Sequence, residues 1–133
     1  MQIFSLRSLS LAVAGAALLA TASRAMSSAQ DASPRVIEIS AERFEFWPSE
    51  ITIAQGEAVE FRIHSDDTQH GFRIVGGGVN LAVPKRGGGF ASAKFVGTAP
   101  GRYTFECSRM CGAGHNIMRG TLIVRPSAAS DQP

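Results

Sequence analysis

The sequence predicts an all-β fold, a sandwich or barrel made of short strands. Apolar and polar residues alternate with a period of two, most clearly where Val59, Phe61 and Ile63 share one face while Glu60 and Arg62 share the other. Turns rich in glycine and proline separate several such short segments. Many half-buried strands joined by tight turns are typical of a β-sandwich, with antiparallel pairing expected between neighbours.

Each strand is predicted from its own alternation and from the turns beside it. The first strand covers 36–40, and a second at 51–53 follows the turn at Pro48. A tight turn at 55–57 precedes the strand around Phe61. The remaining strands are predicted at 72–75, 79–83, 90–96, 102–106 and 121–124, with turns at 76–78, 87–89 and 100–101.

The two ends of the chain are expected to lie outside this domain. Arg7, the apolar stretch Leu9–Ala22 and the small residues that follow are typical of an export signal, with a retained anchor as the alternative. We therefore expect an exported protein, in the periplasm or at the outer face of the cytoplasmic membrane. The predicted organisation is an export signal (1–25), a flexible leader (26–35), a β domain (36–125) and a disordered tail (126–133).

The charge balance excludes one class of partner. Arg7 and Arg24 belong to the export signal, so 11 of the 13 basic residues remain in residues 26–133, equal to the 11 acidic residues. A neutral domain lacks the electrostatic footprint of a nucleic-acid-binding protein. We expect no nucleic-acid partner.

One short segment near the C-terminus carries most of the potential ligands. Cys107, Cys111, His115 and Met118 place two thiols, an imidazole and a thioether in one loop, and His70 supplies another imidazole upstream. Soft sulfur donors with imidazole suit copper better than magnesium, calcium or manganese. Zinc accepts Cys and His but rarely Met. The donor types therefore predict a copper site.

Two other interpretations of this segment remain open from the residues alone. Cys107 and Cys111 could form a disulfide in an exported, purely structural β domain, although a disulfide gives no reason for His115 and Met118. A helix would also place the four residues on one face. Two glycines in the segment, Gly112 and Gly114, favour a loop instead.

The spacing of the segment, Cys-x3-Cys-Gly-x2-His-x2-Met, resembles the CuA domain of cytochrome c oxidase subunit II. The segments 44–48 and 66–72 are also similar to that family. The resemblance implies a cupredoxin-like Greek-key β-sandwich or barrel and a dinuclear copper (CuA) centre. It assigns the bridging ligands to Cys107 and Cys111, the terminal ligands to His70 and His115, and the weak ligands to Met118 and the backbone carbonyl of Arg109.

The resemblance also implies a function, one-electron transfer. Electrons would come from a c-type cytochrome and pass to a terminal oxidase or other reductase, the catalytic subunit of a membrane oxidase being the expected acceptor. The sequence shows no constellation typical of acid–base or nucleophilic catalysis beside the loop, so we expect no catalytic residues and no cofactor besides copper. A periplasmic copper carrier for oxidase assembly is the alternative. Arg109 stands where many subunit II chains carry an acidic magnesium ligand, so we expect no magnesium site.

Overall fold

The computed structural model describes residues 33–127, which form nine β-strands and one short 3-10 turn. The strands are β1 (Arg35–Glu42), β2 (Glu45–Trp47), β3 (Glu50–Ala54), β4 (Ala58–Ser65), β5 (His70–Ile74), β6 (Val79–Val83), β7 (Phe90–Val96), β8 (Gly101–Glu106) and β9 (Arg119–Arg125). Within this range, the structure contains no apolar helix of membrane-spanning length. The predicted export signal (1–25), most of the leader and all but the start of the tail lie outside the described residues.

Two sheets form the sandwich and confirm the predicted all-β class. One sheet has the strand order β2-β1-β4-β7, and the other has the order β3-β9-β8-β5-β6. Most neighbouring strands are antiparallel, but β1 pairs with β4 and β3 pairs with β9 in parallel. The expected antiparallel pairing is wrong for those two pairs, because a period of two reports which face is buried and not the direction of the neighbour.

Strand β2 was not predicted from the sequence. Its three residues include one buried side chain, Phe46, between two exposed ones. Three residues are too few to show a period, and β2 becomes a strand because it pairs with the end of β1 through the register Ala41↔Phe46. This tertiary pairing decides the local conformation.

Four phenylalanine rings occupy the centre of the core between the sheets. Phe46, Phe61, Phe72 and Phe105 are each at most 1% exposed, and contacting pairs have ring centroids 5.3 to 5.8 Å apart. Burying each such side chain contributes about 1.5–3 kcal/mol. Phe72 lies two residues after His70, and Phe105 lies two residues before Cys107. The core therefore anchors the two strands that carry potential ligands.

The end of the sandwich where β5 begins and β8 ends is called the metal end below. His70 is the first residue of β5, and Cys107 follows the last residue of β8. The amide of Cys107 donates to the carbonyl of Met118 at 3.0 Å, immediately before β9 begins. Both ends of the Cys107–Met118 segment are thus held by the same sheet.

Candidate metal centre

Two free thiols lie at the centre of the metal end. Cys107 and Cys111 are both 5% exposed, and their Sγ atoms are 3.8 Å apart. A disulfide would need an S–S distance of about 2.05 Å. The structure therefore presents two separate thiols in place of the disulfide that the sequence left open.

The first sulfur has its own set of neighbours, the Cys107 half-site. The Nδ1 atom of His70 is 3.9 Å from Cys107 Sγ, and the carbonyl oxygen of Arg109 is 3.1 Å from it. The amide of Gly71 donates to the same sulfur at 3.4 Å. One imidazole nitrogen and one carbonyl oxygen therefore face this thiol.

The second sulfur has a matching set, the Cys111 half-site. His115 Nδ1 and Met118 Sδ each lie 3.8 Å from Cys111 Sγ. A single 3-10 turn, His115–Ile117, brings both side chains toward the thiol, and the amide of His115 donates to the carbonyl of Gly112 at 3.1 Å. The segment is a loop apart from this turn, so the helical alternative is wrong.

A carboxylate fixes the orientation of the His70 imidazole. His70 is fully buried, and its Nε2 lies 2.7 Å from Asp67 Oδ1. A proton on Nε2 donated to the carboxylate leaves the lone pair on Nδ1, the atom that faces Cys107. Partial burial pushes the pKa of Asp67 upward, but hydrogen bonds from His70 and from the amides of Thr68 and Arg43 outweigh it and hold the pKa at about 2. Asp67 is therefore ionised at neutral pH.

The Cys111 thiol carries its proton in the metal-free protein. Burial raises its pKa to about 11, and the hydrogen bond with Cys107 contributes in the same direction. A metal ion that binds the thiolate must displace this proton. Metal affinity is therefore linked to pH at this residue.

The tip of the β1–β2 hairpin forms a further wall of the site that the sequence analysis missed. Arg43 Nε donates to the carbonyl of Cys111 at 2.8 Å. The ring of Phe44 packs against the Cys107–Met118 segment, called the metal loop below, so closely that a Cβ on Gly114 would lie 2.3 Å from it. Phe44 lies in the turn before β2, within the segment 44–48 that resembles the CuA family, whereas no local pattern distinguishes Arg43.

Within residues 33–127, a methionine and a histidine lie outside the site. Met110 is 78% exposed, whereas Met118 is 1% exposed, so the thioether facing the thiols is that of Met118. His64 lies on β4 with its Nε2 atom 3.7 Å from Asp66 Oδ1, and 46% of its side chain is exposed. Neither residue contributes to the two half-sites.

The residues present fit a metal with a preference for soft ligands. The ligand atoms of His70, Cys107 and Cys111 all lie within 4.8 Å of one another, and all three residues are buried. Two thiols, two imidazoles and a thioether form a donor set that suits copper.

Comparison with known proteins agrees with this fold. Residues 11–124 match the family described as the cupredoxin-like domain. This chain belongs to that family. Cytochrome c oxidase subunit 2 of Thermus thermophilus is 34% identical over 82 residues, which are 62% of this chain and 59% of that protein. The cupredoxin-like chain thus spans about three-fifths of the length of this relative, and its resemblance to subunit II is confirmed.

Solved structures include chains of similar fold. A chain of a heme-copper terminal oxidase dimer, solved by cryo-EM, is 27% identical, with a TM-score of 0.62 over 72% of this cupredoxin-like chain and 68% of that chain. The periplasmic domain of subunit II of the cytochrome oxidase (CoxB) of Bradyrhizobium japonicum has a TM-score of 0.63 at 15% identity, over 72% and 87% of the two chains. The second comparison shows a shared fold. Fold, family and donor set together imply a copper site.

Proposed function

We propose that this domain holds a dinuclear copper centre and transfers single electrons. One observation carries the proposal: two free sulfurs lie 3.8 Å apart, and each faces an imidazole Nδ1 of its own. The Cys107 half-site adds a carbonyl oxygen and the Cys111 half-site adds a thioether. The two half-sites therefore offer two metal ions equivalent sets of one imidazole and one weak donor.

A mononuclear site explains this arrangement less well. A blue-copper centre uses one thiolate, two imidazoles and a weak axial ligand. Here the second thiol would be left unused, although it is buried as deeply as the first. We therefore assign Cys107 and Cys111 as bridging ligands, with His70 and His115 as terminal ligands. The Arg109 carbonyl and Met118 are the weak ligands.

The protein surrounding the site favours electron transfer over substrate chemistry. Bound copper would supply a one-electron redox couple. The chain itself holds the donors in place: the sheet fixes both ends of the metal loop, and Asp67 fixes the His70 ring. Ligands that are positioned in advance need little rearrangement when the charge of the centre changes.

The donor and acceptor are proposed from the subunit II relationship. A c-type cytochrome would supply electrons, and the catalytic subunit of an oxidase would accept them. The proposed location is the periplasm or the outer face of the cytoplasmic membrane. His115 supports surface exchange of electrons, because it is partly exposed whereas His70 is fully buried. This exposed edge gives a partner close access to the Cys111 half-site.

Copper counting combined with a one-electron titration tests the proposal. The protein loaded with copper should contain two coppers per chain and accept one electron from a reduced c-type cytochrome under anaerobic conditions. Met110→Leu, which changes the exposed methionine of the same loop, is the matched control and should behave as the wild type. A single copper that moves readily to a Cu(I) chelator would instead indicate a copper carrier.

A further inference from the structure

We infer that Arg43, at the tip of the β1–β2 hairpin, is a positioning residue that ties together the two loops carrying the metal ligands. The inference rests on the proposed function, because it assigns Arg43 a part in shaping the same centre. Arg43 contacts none of the ligand atoms. It acts through the main chain of Cys111 and through the carboxylate of Asp67.

The contacts form a continuous chain between the half-sites. Arg43 Nε donates to the carbonyl of Cys111 at 2.8 Å. The backbone amide of Arg43 donates to Asp67 Oδ2 at 3.2 Å. The side-chain Nε of Arg43 lies 3.8 Å from the same oxygen. The other oxygen of Asp67 is 2.7 Å from His70 Nε2. One residue thus joins a ligand of the Cys111 half-site to the anchor of the Cys107 half-site.

The position of Cys111 explains why the hydrogen bond from Arg43 is needed to hold the loop. Cys111 lies in the middle of the loop, beyond the end of β8 and well before β9. Among the described residues, no main-chain hydrogen bond joins Cys111 to a strand. The bond from Arg43 therefore connects this part of the loop to the sandwich, and Phe44 packs beside it against Gly114.

Arg43 also places a fixed positive charge beside the centre. A copper pair carries one more positive charge when it is oxidised, so a nearby cation favours the reduced form. The Arg43 side chain is half exposed, so solvent and salt reduce this effect without reversing its sign. Removing the charge should make the reduction potential more negative, a change that a purely structural role would not require.

Three variants separate these effects. Arg43→Leu removes the charge and every side-chain N–H donor, and Arg43→Lys keeps a cationic donor. Arg102→Leu is the control: Arg102 lies near the start of β8 in an exposed ion pair with Glu50, at 3.4 Å, so the charge change is the same at the opposite end of the strand.

The first readout uses the metal-free, reduced protein. Arg43→Leu should increase amide hydrogen exchange of His115, which donates to Gly112 within the metal loop, at least about tenfold. Arg102→Leu should leave this rate unchanged. Equal rates in the wild type and Arg43→Leu would overturn the inference, whatever metal the protein binds.

The second readout uses the copper-loaded protein. Arg43→Leu should weaken copper retention about 10- to 100-fold, which is the usual effect of losing a residue that orients a ligand. It should also shift the reduction potential to more negative values, and Arg43→Lys should restore most of that shift. A potential identical to that of Arg102→Leu would contradict the inference. A wild type that binds no copper pair would refute the proposed function, while the exchange experiment would still decide the role of Arg43.

Discussion

The two half-sites of the metal end are equivalent in donors but differ in how the protein supports them. In the Cys107 half-site, His70 is fully buried, begins strand β5 and is held by Asp67. In the Cys111 half-site, His115 is partly exposed and sits in a 3-10 turn within the loop. The sheet builds the first half-site, whereas a loop pressed against the β1–β2 hairpin builds the second.

Because of this difference in support, variants of the two half-sites should differ in their effects on the stability of the metal-free fold. Changes in the Cys107 half-site disturb the core and the end of the sheet, so they should destabilise the metal-free fold. Substitutions in the Cys111 half-site should leave the stability of the metal-free fold nearly unchanged and should mainly weaken metal binding. If the two sulfurs share both metals, however, the centre itself should depend equally on each half-site.

The largest effect is expected from removing either sulfur. Cys107→Ser and Cys111→Ser should each lower the copper content below two per chain and abolish the spectrum of a shared electron, because each thiolate contacts both ions in the proposed centre. Copper analysis and absorption spectroscopy measure this, with Met110→Leu as the unaffected control. Two coppers in either Ser variant would show that the half-sites are independent.

The next effect distinguishes the two imidazoles. His70→Gly should lower the free energy of unfolding of the metal-free protein by about 2–4 kcal/mol, since it leaves a cavity and removes the partner of Asp67. His115→Gly should cost less than about 1 kcal/mol, as expected for a partly exposed side chain. Denaturant unfolding measures both values.

Access to the two positions should differ in the same way. Added imidazole should restore the copper spectrum of His115→Gly, because that position opens to solvent, and should not restore that of His70→Gly. Equal rescue of both variants would contradict the difference in burial on which the comparison depends.

A smaller effect is expected from two glycines at close contacts. A Cβ on Gly71 would lie 2.8 Å from the backbone nitrogens of Ser108 and Arg109, whereas a Cβ on Gly114 would meet the Phe44 ring. Overpacking costs about 1–3 kcal/mol. The cost of Gly71→Ala should lie at the upper end of this range, because backbone atoms can move aside less than a side chain can.

Thermal unfolding of the metal-free variants measures these costs. Phe44→Ala should relieve part of the cost of Gly114→Ala, so the double variant should be less destabilised than the sum of the two single variants. Strict additivity would mean that the ring and the loop do not constrain each other.

The smallest effect concerns acid stability. The folded-state pKa of Asp67 is about 2, below its ordinary value of 3.8. Ionised Asp67 therefore stabilises the fold above about pH 4, and this contribution is lost as the pH falls toward 2. Because Asp67 is partly exposed, we expect about 1–2 kcal/mol.

Asp67→Asn should lower the stability of the metal-free protein at pH 7 and flatten its dependence on pH between 4 and 2. Acid unfolding followed by circular dichroism measures both slopes. A variant that keeps the steep wild-type slope would place the responsible carboxylate elsewhere.

The fold was predictable where alternation is long enough to be seen. Strand β4 was predicted from Val59, Phe61 and Ile63, which are all buried as expected. Strand β2 and the parallel pairing of β1 with β4 were not predicted, because both depend on which segments meet in space. Local sequence patterns therefore predict which side chains are buried, whereas strand pairing depends on tertiary contacts.

The candidate ligands could be singled out from the sequence for a different reason. Cys107, Cys111, His115 and Met118 lie within one loop, so their spacing is visible in the sequence, and the structure brings His70 to them as the resemblance implied. The contacts that hold the metal loop in place were not predictable. The bond from Arg43 to Cys111 joins residues 68 positions apart, and no local pattern marks such a contact.

Electron paramagnetic resonance of the oxidised, copper-loaded protein tests the dinuclear centre most directly. The proposed dinuclear centre, with the delocalisation that the resemblance to the CuA domain implies, predicts one unpaired electron spread over two copper nuclei, visible as hyperfine splitting from both. A signal split by a single copper nucleus would contradict it.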